Sequence, residues 1–197
     1  MVRRTAMPRI SLSSLWLALA SGAALTVACG GDIGLPPATL ENTIDTAEVF
    51  ALRGTAIGTP SGFDLASATA VRPERGDPFD LAFDIDSTGA PILYPSGLVG
   101  GSTTAGIHRA ADTFDQIRRA PVEDYVTDSI VHIEAGMVFV ARSRPVSNGC
   151  SAYTGSLPRY GKFEVLAIDS EARTLTLQLL VDLNCGYREL VPGVPTS

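Results

Sequence analysis

Residues 175–183 read Leu-Thr-Leu-Gln-Leu-Leu-Val-Asp-Leu, and their alternation decides the fold. Leu175, Leu177, Leu179, Val181 and Leu183 recur with a period of two, which places them on one face of a strand. Residues 163–168 form a partner run, separated from the first by the polar turn Asp169-Ser170-Glu171-Ala172-Arg173. The same period returns in residues 79–86, Phe-Asp-Leu-Ala-Phe-Asp-Ile-Asp. There it predicts Phe79, Leu81, Phe83 and Ile85 inside, with Asp80, Ala82, Asp84 and Asp86 toward water. Residues 130–134 and 137–141 flank Ala135-Gly136 and predict a hairpin. Residues 47–55 read as a first strand. Residues 112–119 alone read as a helix, with Asp112 placed to cap it, Phe114 and Ile117 three apart, and Pro121 stopping it. The chain contains 19 Gly and 13 Pro, which keep its segments short. The expected class is mostly β, an antiparallel β-sandwich or open barrel with at most one or two short helices.

The amino-terminal end says where such a domain resides. Arg3, Arg4 and Arg9 precede an apolar stretch over residues 12–27, interrupted only by small polar residues. That is the pattern of a secretory leader. The stretch closes on Leu25-Thr26-Val27-Ala28-Cys29-Gly30-Gly31, which resembles the lipobox of bacterial lipoproteins. In such proteins the cysteine is acylated and the chain is cut before it, and several acyl chains make anchoring stable. Ser13, Ser14, Ser21, Gly22 and Thr26 break the apolar run and disfavour a permanent membrane span. The expected organisation is a signal peptide over residues 1–28, lipid attachment at Cys29, a flexible tether over 29–46 and a single β-rich domain over 47–197. Gly30 stands where an Asp would retain a lipoprotein at the inner membrane. The expected location is therefore the bacterial outer membrane, facing the periplasm or the cell surface.

Removing the leader takes three arginines and no acid, so the net charge falls from −6 to −9, and Lys162 is the only lysine in the chain. A surface of that sign repels nucleic acid. With Cys29 lipidated, Cys150 and Cys185 remain as an even pair in an oxidising compartment, and a disulfide between them is expected. Two buried free thiols are the alternative. Neither cysteine has a His or Cys at zinc-ligand spacing, so no metal site is expected.

Asp84-Ile85-Asp86-Ser87-Thr88 matches the Asp-x-Asp-x-Thr nucleophile motif of haloacid-dehalogenase-like phosphotransferases. That fold alternates strands with helices, which this sequence does not. The same run starts like a calcium loop, yet Pro95 stands where a bidentate Glu is required. A solvated strand face running into a turn is the simpler reading. No Gly-x-Ser-x-Gly elbow is present, and the chain is read as non-enzymatic.

Several segments, taken in order, carry a resemblance. Phe79-Asp80-Leu81-Ala82-Phe83 is followed by a Gly-rich loop over residues 97–106, then by Phe114-x-x-Ile117-x-x-Ala120-Pro121, Asp124-Tyr125 and Asp128-Ser129. Val138-Phe139-Val140-Ala141-Arg142-Ser143 and the Lys162-bearing strand complete the series. This order resembles the HmuY-like haem-binding lipoproteins, over about residues 49–190. The resemblance implies an all-β fold, a lipid anchor at the outer membrane and haem as ligand. The sequence departs from the family's pattern at Phe79, where Trp is usual, and at Asp86-Ser87-Thr88-Gly89, which replaces an asparagine-bearing loop.

Six-coordinate haem held without catalysis takes two axial ligands, commonly His or Met, from opposite walls of an apolar cleft. The chain has two histidines, His108 after the glycines and His132 on the predicted hairpin, with Met137 as a substitute. Arg109, Arg118 and Arg119 are placed to meet the propionates. Against this stands the plainer reading of His108 as an exposed loop residue and His132 as a hydrogen-bonded strand residue. The competing function is a structural lipoprotein whose partner is another envelope protein, met through a sheet edge.

Overall fold

The computed structural model describes residues 35–147 and 155–196. Ten strands are formed there: β1 (Ile44–Phe50), β2 (Gly62–Asp64), β3 (Thr69–Val71), β4 (Leu81–Ile85), β5 (Pro91–Pro95), β6 (Gly106–Arg109), β7 (Val131–His132), β8 (Val138–Arg142), β9 (Tyr160–Asp169) and β10 (Thr174–Asp182). They make two antiparallel sheets of five, in the orders β1-β10-β9-β8-β6 and β3-β2-β4-β5-β7. The architecture is a β-sandwich, as the alternating runs imply. Among the described residues the only helical pieces are the 3-10 turns Pro73–Arg75 and Ser96–Val99.

The β9–β10 hairpin is the spine of the first sheet, with Leu175 opposite Ile168, Leu177 opposite Val165 and Leu179 opposite Phe163. A bulge at Thr176/Leu177 leaves Leu166 outside the pairing, 45% exposed. The alternating residues Leu175, Leu177, Leu179 and Val181 face the second sheet and meet Phe63, Leu81, Phe83 and Ile85 in one core. Phe163 stacks on Phe139 at 5.0 Å and receives the edge of Phe63 at 5.5 Å. These rings lock the two sheets together beyond the area they bury.

Four expectations are corrected. The Asp80, Ala82 and Asp84 face does not meet water, because all three are buried. Arg144, just past β8, reaches Asp64 at 2.9 Å and Asp80 at 3.1 Å, and Arg53 reaches Asp84 at 2.6 Å. The polar side of β4 is thus sealed by ion pairs that tie the sheets together. The hairpin around Ala135-Gly136 does not form. β7 pairs with β5 and β8 pairs with β6 and β9, so this turn carries the chain between sheets. Gly136 takes a φ of 81° there, a left-handed conformation suited to glycine.

The helix over residues 112–119 is absent. One turn forms, with Ile117 N–H on Thr113 O at 3.2 Å and the Gln116 side chain accepting from the Thr113 N–H and hydroxyl. Finally, the tether is shorter than expected and the first strand starts at Ile44. Thr39 and Leu40 N–H both donate to Asn184 Oδ1, and Asn42 pairs with Gly193. Buried Asn184 and Asn42 recruit backbone that carries no apolar pattern of its own.

Candidate functional site

The outer face of the first sheet is also covered. Val138, Val140, Tyr160 and Leu180 point away from the inter-sheet core and pack with Phe114, Ile117, Ala120 and Leu190 in a second cluster. The cover is irregular backbone, tied down by Ala120 N–H to Arg188 O at 2.8 Å, Leu190 N–H to Arg118 O at 2.8 Å, and the Arg188 guanidinium to Ala120 O. At the β6 edge the chain passes very close to the sheet. A Cβ on Gly106 would lie 2.8 Å from the Tyr125 Cβ and 2.9 Å from the Thr127 Cγ2, so only glycine admits the 125–127 segment there. Burial pushes the Tyr125 hydroxyl well above the usual tyrosine range, with Arg142 stacked 4.7 Å from the ring centre.

Where the cover leaves the sheet edge open, a groove of about 500 Å³ forms, within the size range of small-molecule sites. Its lining includes His108, Arg109, Gln116, Ile117, Arg118, Arg119 and Val140. Its lining carries three guanidinium groups and one carboxylate, Asp112, and guanidinium groups are donors suited to an anion. Arg109 is joined to Glu134 at 2.9 Å, both exposed, a contact worth little and easily exchanged. A smaller hollow of about 330 Å³ continues from Arg109 past Asp112 to Met137.

His108 sits on β6 opposite Val140, and its Nδ1 lies 3.1 Å from the Asp124 carbonyl oxygen. A carbonyl only accepts, so in the neutral ring Nδ1 carries the hydrogen and Nε2 keeps its lone pair. A carbonyl orienting the far nitrogen is the usual support of a metal-bound imidazole. His132 lies in the other sheet, exposed and opposite Ile92; the Thr88 hydroxyl and the Ala90 and Thr88 N–H groups hold the neighbouring Asp86 carboxyl below its ordinary range, with a minor contribution from His132. The groove lining therefore includes one histidine of the expected pair. Met137 is 5% exposed, packs in the inter-sheet core and also lines the smaller hollow, outside the groove that holds His108. Arg109, Arg118 and Arg119 all reach the groove.

The Asp-x-Asp-x-Thr run is engaged in structure. Asp84 is held by Arg53 and Arg173, while Asp86 accepts from Thr88 and Ala90 N–H in a turn. Cys185 is buried at the start of the covering layer; Cys150 and Cys29 lie outside the described residues, as does the leader. Among the described residues no three His, Cys, Asp or Glu cluster to hold a metal ion, and no helix is long and apolar enough to cross a membrane.

The sequence reading did not anticipate the place of Lys162, beneath the 114–117 segment beside the groove. It lies on β9, 2% exposed, with Nζ donating to Phe114 O at 2.8 Å and Ile117 O at 3.0 Å and standing 4.4 Å from the centre of the Phe114 ring. The available signal was a lone lysine on the outward phase of an apolar strand. Comparison with protein-family models, curated proteins and solved structures finds no match to this chain.

Proposed function

We propose that this chain is a lipid-anchored, non-enzymatic binding module of the bacterial outer membrane, facing the periplasm or the cell surface, and that it carries haem in the groove beside β6. One observation carries this reading: His108, oriented by the Asp124 carbonyl, shares a groove with Arg109, Arg118 and Arg119. An imidazole with its Nε2 lone pair free is an iron ligand, and guanidinium groups pair with carboxylates such as the haem propionates. The HmuY-like resemblance points to the same ligand. The groove supplies one axial histidine, with His132 on the other sheet outside the lining.

Titration with hemin, followed by absorbance, tests this. The wild type is expected to give a sharpened Soret band with five-coordinate, high-spin features. His108→Ala should abolish the band shift, and His132→Ala should leave it unchanged. Wild-type protein that gives no shift, or His108→Ala that binds as well as wild type, overturns the haem reading. In that event the envelope-interaction function takes its place, with the seven-residue edge strand β1 as the surface to probe.

A further inference from the structure

The wall of the groove has no regular secondary structure, yet Gln116, Ile117, Arg118 and Arg119 must hold their positions if they are to meet a ligand together. A helix would satisfy the Phe114 and Ile117 carbonyls internally. Here both are satisfied by one side chain that rises from the sheet beneath, the amine of Lys162. We propose that Lys162 is the positioning residue of this groove, fixing the 113–119 wall so that its arginines and glutamine face a bound ligand together.

Three facts converge on that role. Lys162 is paired across the sheet with Val140 on one side and Leu180 on the other, so its stem starts from the middle of the outer face. Val140 is itself groove lining, which puts the anchor directly beside the floor. The Phe114 ring, 3% exposed, covers the amine, so the wall cannot lift without uncovering both the cation and the ring. Removing the amine leaves two carbonyls without donors in a dry layer, an unfavourable arrangement that the segment relieves by moving toward water. Local opening of this kind draws on a small part of the fold and does not require unfolding the sandwich.

The inference rests on the groove being a ligand site, and the test separates the two ideas. Lys162 is the only lysine in the chain, so its acylation by an N-hydroxysuccinimide ester, read by peptide mass spectrometry, reports wall opening without interference from other lysines. In wild-type protein a saturating concentration of hemin is expected to slow that acylation at least tenfold. A lysine with no link to the groove would be acylated at the same rate with and without hemin, and that result overturns the proposal. In Lys162→Met, trypsin is expected to cut after Arg118 and Arg119 at least ten times faster than in wild type, while far-UV circular dichroism stays that of the sandwich. Lys162→Arg, which keeps a donor, should restore part of the protection. Should hemin fail to bind at all, the haem reading falls and the trypsin comparison decides: faster cleavage supports the positioning role, cleavage at the wild-type rate overturns it. Should Lys162→Met fail to fold, the wild-type acylation rates decide.

Discussion

The two faces of the first sheet are both buried, and they are buried in different ways. The inner face meets another sheet through Phe139, Phe163, Leu175 and Leu177, all among the most deeply buried side chains, and is held by area and ring packing. The outer face meets loops through a smaller apolar cluster, and the backbone of that cover is fixed by a few directed bonds: Lys162 to two carbonyls, Arg188 to Ala120 O, and two backbone bonds between residues 118–120 and 188–190. Area is forgiving of small displacements, whereas a cover resting on single donors opens when one is lost. The groove lies in the second region, which is the part of a fold from which ligand-binding segments are drawn.

The harshest break of this contrast is a charge on the inner face. Leu177→Asp places a carboxylate with no partner among Phe63, Leu81 and Leu175, and is expected to cost more than about 4 kcal/mol, enough to unfold the domain. Thr176→Asp, next to it on the half-exposed outer phase, should change stability by about 0.5 kcal/mol or less. Urea denaturation of the two variants measures both, and equal tolerance would mean that the inner face is not what holds the sheets.

The same contrast explains what was legible in the sequence. Period-two alternation over Leu175, Leu177, Leu179 and Val181 is a property of consecutive residues, so the inner face and the β9–β10 hairpin could be read directly. Asp80 and Asp84 follow the same alternation, which points them to water, because the residues that seal them are distant along the chain: Arg144 for Asp80, Arg53 and Arg173 for Asp84. Local pattern cannot show a partner 64 residues away. Phe114 and Ile117 are apolar at helical spacing, and they are buried; their carbonyls meet a lysine from the sheet instead of the segment's own N–H groups. The hairpin at Ala135-Gly136 failed for a related reason, since a tight turn specifies a reversal and leaves open which strand receives each arm. Of the site, His108 and the three arginines are legible in the sequence and share the groove, while the separation of His108 from His132 follows from β6 and β7 lying in different sheets, which no local pattern shows.

A second prediction concerns how firmly the outer layer is closed. Cys185 lies in the segment that leaves β10 to form that layer, buried next to Asn184, which binds the 39–40 backbone. A Cys150–Cys185 bridge, which we propose on the cysteine pairing alone, would give this side of the molecule a covalent tie. Peptide mapping without reductant is then expected to recover one linked peptide, and reduction should lower stability by about 3 to 4 kcal/mol in the chain-entropy view. Two thiols alkylated freely in the native, unreduced protein would remove the bridge and leave the layer to its hydrogen bonds.

The smallest expected effect sharpens the contrast at a single carboxyl. Asp182, at the end of β10, is fully buried on the outer side. Its Oδ1 accepts from the Asn184 backbone and side chain at 2.9 and 2.8 Å, while Oδ2 has no partner. Burial pushes this carboxyl above its ordinary range, against the pull of the Asn184 bonds and of Asn42. A carboxyl raised in the folded state favours folding while it is protonated. Its contribution is therefore complete below the ordinary value of about 3.9 and is lost as pH rises through the raised one. Asp182→Asn keeps an oxygen for Asn184 and never ionises. It also brings a donor to a region where Asn42 Oδ1 is buried without one. The variant is expected to be more stable than wild type by on the order of 1 kcal/mol at pH 7, with the gain shrinking to nothing toward pH 4. Thermal melts of both proteins across that range measure it. A variant less stable than wild type at pH 7 would show that the ionised carboxylate holds the 39–42 segment in place, and that the outer layer depends on charge where the inner core depends on area.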